Sequence, residues 1–296
     1  MKKNVENFIG CDAEYEDAKV VLFGAPFDST TSYRPGARFG SAAIRHESYG
    51  LETYSPYLDR DLVEPDENGV YDGIAVFDSG DIELPMGSSA MALDAIAERT
   101  AEIMDDGKLP LMLGGEHLVT LGAFREVAKR YPDVHIIHFD AHCDLRNDYL
   151  GVELSHACVI RRCHDIVGDG RIHQFGIRSG DRGEWLFARQ GHTDMHPFSL
   201  RDVETVVKGL PEGVPVYFTI DLDVLDPSVF PGTGTPEAGG VTFNDLREAI
   251  FTVCQNTNIV GIDINELAPN LDTSGVSTAV ACKVVRETVL TLAGQA

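Results

Sequence analysis

The sequence lacks long hydrophobic runs and has few basic residues, and each absence excludes a class of protein. No apolar run approaches the ~20 residues of a membrane-spanning helix. No apolar stretch follows the two lysines near the N-terminus, so we expect no signal peptide and a cytoplasmic protein. Lys and Arg total 24 against 47 Asp and Glu, a formal net charge of −23. Because nucleic acids and membrane surfaces need a basic face, we expect neither as a partner; an acidic protein favours cationic ligands.

The six cysteines are scattered and include no CxxC pair. This spacing fits neither a disulfide framework nor a structural zinc site, so we expect reduced, mostly buried thiols. The apolar fraction of 43% is ordinary for a globular protein with a full core. We expect a single domain over residues 1–296, in which residues 1–17 form an N-terminal extension.

Short β-branched apolar runs alternate with longer helical patterns along the chain. The runs begin at Ala18, Gly73, Leu109, Val134, Arg171, Val214 and Ile259. Most are nearly continuous in apolar residues, which is typical of parallel strands covered on both faces. Helices are predicted over residues 88–106, 119–130 and 274–292, and capping-box spacing occurs at 199–202 and 242–245. The alternation predicts an α/β fold with a doubly wound, mainly parallel sheet.

Four of the predicted strands end in polar residues that could carry chemistry. These ends are GGEH at 114–117, DAHCD at 140–144, DLD at 221–223 and INE at 264–266. In open parallel sheets, ligands bind beyond the carboxyl ends of the strands. We therefore expect all four segments to meet at one edge of the sheet.

These segments contain four carboxylates and two imidazoles that could bind metal. They are His117, Asp140, His142, Asp144, Asp221 and Asp223. Carboxylates at close range repel one another unless cations lie among them, and two divalent ions would balance four. Residues i and i+2 of an extended strand end point the same way, so the D-x-H-x-D and D-x-D spacings can supply neighbouring metals. The pattern predicts a two-metal site whose reactive species is a bridging water or hydroxide. Oxygen-rich sites with a few imidazoles favour Mn²⁺, with iron, cobalt and zinc as competitors.

Two residues close to these candidate ligands in the sequence, Cys143 and His138, are not expected to bind metal. Cys143 alternates with His142 and Asp144, so its side chain points away and we do not expect it to bind metal. His138 lies further into the strand, where a buried histidine that supports a ligand is expected. A lone D-x-D motif or buried histidine is usually a cap, a salt bridge or a satisfied core residue. The combination of motifs at several strand ends favours metal binding.

Together the motifs resemble those of the ureohydrolases, a family that includes arginases and agmatinases. The matching stretches are GGEH, DAHCDLR, Ser155-His156, DLDVLDP and DINELAP, together with residues 24–45 in the form typical of agmatinases. The resemblance runs from about Gly24 to the C-terminal helix. It implies a three-layer α/β/α fold, two Mn²⁺ per chain and a homotrimer or homohexamer.

The resemblance also implies a role for each matched residue. One metal would be held by His117, Asp140, Asp144 and Asp221, and the other by His142, Asp140, Asp221 and Asp223, with Asp140 and Asp221 bridging. Glu266 matches the glutamate that binds the substrate guanidinium, and His156 matches a histidine that shuttles protons. Relatives often follow this histidine with Gly, whereas Ala157 follows it here. Asp144 is expected to carry a proton from the nucleophile to the leaving amine.

The reaction expected from this resemblance is hydrolysis of agmatine, a small cationic guanidino compound, to putrescine and urea by the metal-bridging hydroxide. In arginases, a polar, serine-rich run follows the D-x-H-x-D motif and begins with Asn two residues after its last Asp. That run is absent here, and Arg146 occupies the position of the Asn. Alternative substrates are arginine and guanidino acids such as 4-guanidinobutyrate, whose carboxylate Arg146 could bind. A two-metal phosphoesterase and a non-enzymatic paralogue are further alternatives.

Overall fold

The computed structural model describes residues 6–65, 67, 69 and 73–293. The strands of the main sheet are β1 (Val20–Gly24), β4 (Val76–Asp81), β5 (Leu109–Leu113), β6 (His135–Phe139), β7 (Ile172–Phe175), β8 (Asp194–His196), β9 (Pro215–Asp221) and β10 (Asn258–Asn265). A separate antiparallel pair joins β2 (Tyr54–Ser55) to β3 (Arg60–Asp61). The main sheet has the order β4-β1-β5-β10-β9-β6-β7-β8, and its strand pairs are parallel. The predicted doubly wound parallel sheet is confirmed.

Helices cover both faces of this sheet. They are α1 (Gly40–Ser48), α2 (Ser89–Asp105), α3 (Val119–Arg130), α4 (Val159–Val167), α5 (Arg182–Arg189), α6 (Val203–Gly209), α7 (Phe243–Asn256) and α8 (Val276–Leu292). Residues of α2 to α5 share one hydrophobic core, and residues of α1, α6, α7 and α8 share the other. The strands therefore face apolar helices on both sides, which explains their nearly continuous apolar sequences. The three-layer α/β/α architecture is confirmed.

Of the two capping boxes predicted from the sequence, one is present and one is absent. The capping box at Thr242 is present, because Thr242 Oγ1 accepts from the Asp245 N–H at 3.2 Å and the Asp245 carboxylate accepts from the Thr242 N–H at 2.9 Å. The prediction of a capping box at 199–202 was wrong. It requires Asp202 to lie inside the first turn of the helix, but Asp202 is the residue that precedes α6. Its carboxylate lies 3.2 Å from His196 Nδ1. The sequence interpretation did not identify α1, α4, α5 or the short edge strand β8.

The predicted N-terminal extension packs against the domain where it is described. Phe8 and Cys11 are fully buried, and the Phe8 N–H donates to Asp78 at 2.8 Å. The prediction of one domain over 1–296 includes residues outside the described ranges and stays a prediction. All six cysteines are unpaired and buried. Within the described ranges, no helix has the length and apolar character needed to cross a membrane.

Candidate metal centre and active site

The four polar strand ends meet at one edge of the sheet, as expected. The strands that carry them, β5, β10, β9 and β6, are consecutive neighbours. Because they run parallel, the segments after Leu113, Asn265 and Phe139 and the end of β9 at Asp221 lie together. A cavity of about 310 Å³ opens here. Its lining includes His117, His142, Asp144, His156, Asp221 and Glu266.

The first group of possible ligands surrounds His117. Its Nδ1 lies 3.0 Å from Asp140 Oδ2, 3.1 Å from Asp144 Oδ2 and 3.4 Å from Asp221 Oδ2. This nitrogen is buried and has no hydrogen-bond partner in the described part of the chain. Metal–ligand bonds of ~2.1 Å separate the ligand atoms of one ion by about 3 Å, so this spacing fits one shared cation.

The second group surrounds His142. Its Nδ1 lies 3.0 Å from Asp223 Oδ2 and 3.4 Å from Asp140 Oδ1. Asp140 thus presents one oxygen to each histidine, which is the arrangement that a bridging carboxylate needs. The structure brings all six predicted ligands together, and their assignment to particular metals stays a prediction.

A chain of buried hydrogen bonds orients His117, and the sequence interpretation missed it. Thr219 donates from its hydroxyl to Asp263 Oδ1 at 2.6 Å, so this hydroxyl accepts from His117 Nε2, 2.9 Å away. The proton is thereby assigned to Nε2, and the Nδ1 lone pair faces the carboxylates. Asn265 also donates to Asp263 Oδ1, at 2.6 Å. Side chains alternate between the two faces of β9, which places Thr219 on the same face as Asp221. This alternation is the signal in the sequence that could have identified Thr219.

His138 lies behind Asp140. Gln174 Nε2 donates to His138 Nδ1 at 3.1 Å, so His138 Nε2 carries the proton and donates to Asp140 Oδ2 at 2.8 Å. This is the supporting position that the sequence predicts for a buried histidine. Cys143 is also buried, with its sulfur against Gly180, where an added Cβ would approach it to 2.5 Å.

The carboxylates of the site are deeply buried and repel one another. The exposed fractions of Asp140, Asp144, Asp221, Asp223 and Glu266 are between 0% and 6%. Burial, followed by the charge of Asp140, raises the pKa of Asp144 to about 7. Burial and Asp223 raise the pKa of Asp221, and burial and Glu116 raise that of Glu266. Asp144, Asp221 and Glu266 are therefore hard to ionise without nearby positive charge, and the donor set fits a pair of divalent cations.

Two of the predicted catalytic residues have left-handed backbone conformations. Asp144 has φ of 53° and Glu266 has φ of 69°. Such conformations cost about 1–3 kcal/mol in residues other than glycine and cluster at functional sites. The Glu266 N–H donates to Gly115 O at 3.0 Å, and its Oε1 accepts from the His117 N–H at 2.8 Å. The glutamate is thus fixed next to the first ligand group.

His156 lies at the mouth of the cavity, half-buried, at the start of a single 3₁₀ turn, His156–Cys158. Its N–H donates to Thr30 Oγ1 at 3.0 Å, and its Nε2 lies 3.1 Å from Ser32 Oγ. Burial, followed by the charge of His142, lowers the pKa of His156 to about 4. The imidazole is therefore neutral at pH 7, with one ring nitrogen that can accept a hydrogen bond and one that can donate.

Arg146 also lies at the mouth, but its charge is already matched. Its Nη1 lies 2.8 Å from Asp181 Oδ2, and its Nε lies 3.5 Å from Glu184 Oε2. The guanidinium also lies 5.0 Å from the ring centre of Tyr149. Both carboxylates line the cavity with it. Arg146 is therefore bound to acidic neighbours and does not present a free cation for a substrate carboxylate.

Comparisons with known proteins identify the family of the chain. Residues 18–291 match the model of the arginase family. The chain is 47% identical over 286 residues to the agmatinase of Bacillus anthracis, covering 96% of this chain and 95% of that one. It is 40% identical over 260 residues to the N(1)-aminopropylagmatine ureohydrolase of Thermococcus kodakarensis, covering 86% and 84%.

A solved structure extends the comparison to the fold. The crystal structure of the agmatine ureohydrolase of Thermoplasma volcanium superposes with a TM-score of 0.82 at 33% identity, covering 98% of this chain and 94% of that one. Family and fold thus agree, and they support a hydrolase of guanidino groups over the phosphoesterase and non-enzymatic alternatives. The chain belongs to the arginase family, metal-dependent hydrolases that act on the C–N bonds of guanidino groups.

Proposed function

We propose that this protein hydrolyses agmatine to putrescine and urea with two Mn²⁺ ions per chain. The observation that carries the proposal is the convergence of His117 and His142 on carboxylates that share Asp140, in a cavity that also contains Glu266. The agmatinase of Bacillus anthracis, at 47% identity over nearly the full length, supports agmatine as the substrate. A mainly oxygen donor set with two imidazoles supports manganese.

The roles of the chain's own residues follow from their positions. When bound, the metal pair would supply a hydroxide at neutral pH by lowering the pKa of water. Glu266 would accept hydrogen bonds from the guanidinium and so orient its carbon towards the nucleophile. Asp144, which lies beside His117, would take a proton from the nucleophile and give it to the leaving amine. His156, neutral at the mouth, would exchange protons with solvent.

The mouth of the cavity favours a substrate without a carboxylate. Asp181 and Glu184 line it, and their partner Arg146 is held between them and Tyr149. A guanidino acid would have to detach Arg146 from these pairs, whereas the ammonium group of agmatine would not. This argument supports agmatine over arginine and 4-guanidinobutyrate.

The assembly and location of the protein are further parts of the proposal. The ureohydrolase resemblance supports a homotrimer or homohexamer. The likeness to bacterial agmatinases supports a cytoplasmic protein. The expected partner is a small guanidino substrate.

The test is urea release by the Mn²⁺-loaded protein from four substrates side by side. They are agmatine, N(1)-aminopropylagmatine, arginine and 4-guanidinobutyrate. We expect the highest kcat/KM with agmatine. Faster hydrolysis of another guanidine would keep the reaction class and change the substrate. No urea from any of them, with two metals bound, would overturn the proposed function.

A further inference from the structure

Residues 27–36 form a loop, here called the threonine loop, that connects the GGEH segment to His156. Its start lies directly against that segment, since the Glu116 N–H donates to Phe27 O at 2.7 Å. A Cβ added to Gly115 would lie only 2.0 Å from Phe27 O. Towards its other end, Arg34 Nη2 donates to Thr233 O at 2.8 Å. The loop is therefore held at both ends, and its middle reaches the cavity at Ser32.

Glu116 is a buried carboxylate that neither the predicted ligand set nor the proposed mechanism uses. It is 0% exposed, and its carboxylate accepts hydrogen bonds from the threonine loop alone among the described residues. Thr30 donates to it from the backbone N–H at 2.8 Å and from its hydroxyl, and Thr31 Oγ1 donates at 3.2 Å. Burying a carboxylate is costly unless hydrogen bonds compensate it. These three donors offset part of that cost and tie the loop to the segment that carries His117.

The two threonines differ in what they contact beyond Glu116. The hydroxyl of Thr30 donates to Glu116 and also accepts from the His156 N–H at 3.0 Å. The hydroxyl of Thr31 donates to Glu116 and, in the part of the chain that the structure describes, forms no hydrogen bond with His156. Ser32, the next residue, lies 3.1 Å from His156 Nε2. A hydrogen-bonded path thus runs from Glu116 through Thr30 to the backbone of His156, and the same loop contacts the His156 ring.

We propose that Glu116 is a positioning residue that acts through Thr30 to hold His156 over the cavity. The inference rests on the proposed function, in which His156 exchanges protons at the mouth. Because Glu116 adjoins His117 in sequence, it fixes the loop relative to the metal ligands. A displacement of about 1 Å at a catalytic group can cost on the order of 10²-fold in rate, so this link affects turnover.

The test compares substitutions at the two threonines, using agmatine and Mn²⁺-loaded protein. Thr30→Val removes the hydroxyl at nearly constant shape, and we expect kcat to fall roughly 10- to 100-fold with KM changed less than about threefold. Thr30→Ser restores the hydroxyl and should recover most of the loss. Thr31→Val is the matched control. It removes one donor from the same carboxylate, so it shares any general destabilisation, and we expect kcat within about twofold of wild type.

A second arm asks whether Thr30 acts through His156. In a His156→Ala background, Thr30→Val should change kcat less than about twofold, because coupled residues are not additive. Glu116→Gln should lower kcat in the same direction as Thr30→Val and retain two metals per chain. The glutamine side chain places an NH₂ donor at a position where the carboxylate of Glu116 accepts a hydrogen bond, so the Thr30 hydroxyl must reorient. Equal losses in Thr30→Val and Thr31→Val, or a full additional loss in the His156→Ala background, would overturn the proposal.

Crystal structures of the metal-loaded variants give a readout that does not depend on activity. We expect the His156 ring to be displaced by about 1 Å in Thr30→Val and unmoved in Thr31→Val. An unmoved ring in both would overturn the inference. If wild type released no urea from any guanidine, the proposed function would fail, and the ring position would still decide whether Glu116 and Thr30 hold His156.

Discussion

Replacing Glu266 by glutamine removes a charge with almost no change of shape. The Gln side chain can still accept from the His117 N–H through its carbonyl oxygen, as Glu266 Oε1 does at 2.8 Å. The left-handed backbone, with φ of 69°, is equally costly for Glu and Gln, so it contributes no difference. The substitution therefore isolates the charge that would bind the guanidinium.

The expected loss can be estimated from the hydrogen bonds that change. Bonds to charged groups contribute about 1.5–3 kcal/mol, against about 0.5–1.5 kcal/mol for neutral ones. For two bonds to a buried carboxylate, 5% exposed, the loss is about 2–3 kcal/mol in transition-state stabilisation. At 1.36 kcal/mol for each factor of ten, kcat/KM should fall roughly 30- to 160-fold.

The assay measures urea release from agmatine alongside metal content. We expect Glu266→Gln to retain two Mn²⁺ per chain while losing most of its activity. Loss of metal together with activity would refute the role of Glu266 as a substrate contact. Activity within about threefold of wild type, with both metals present, would show that the guanidinium is bound elsewhere.

Three other perturbations test separate parts of the site. Asp223→Ala removes the carboxylate 3.0 Å from His142 and should lower metal content from two ions per chain towards one; retention of two would mean that the ligand assignment is wrong. Without metal, the pKa of Asp144 is raised to about 7, so the folded protein binds more protons than the unfolded chain between roughly pH 4 and 7. The contribution of Asp144 to the free energy of unfolding is therefore lost as pH rises. Bound metal favours the ionised carboxylate and reverses this pH dependence. The increase in melting temperature on adding Mn²⁺ should thus be larger at pH 8 than at pH 5.5, and an equal increase at both would contradict this reasoning. Arg146→Ala should change the ratio of kcat/KM for agmatine to that for 4-guanidinobutyrate by less than about threefold, whereas a selective loss with the guanidino acid would show that Arg146 binds its carboxylate.

The sequence predicted the central sheet well because its signals are local. A buried parallel strand is a short apolar run, and polar residues at its carboxyl end follow directly in the chain. The ligand motifs at Asp140 and Asp221 were therefore visible before the structure. Helix α3 was predicted at its observed bounds, Val119–Arg130, because apolar periodicity spans the whole helix.

The missed features depend on contacts between distant parts of the chain. The support of His117 by Thr219 joins residues 102 positions apart, and the bond between Thr30 and His156 joins residues 126 apart.

Capping signals were ambiguous for a different reason. The spacing at 199–202 matched a capping box that is absent, whereas the box at Asp181 and Glu184 was present but not identified. A four-residue spacing does not determine where a helix begins; the packing of the following apolar residues does.

The most direct test of this account is the anomalous scattering of crystals grown with Mn²⁺. We predict two peaks about 3.5–4 Å apart, one beside His117 Nδ1 and one beside His142 Nδ1, with Asp140 and Asp221 between them. A single peak, or two peaks that do not share these carboxylates, would contradict the two-metal site from which the proposed reaction is derived.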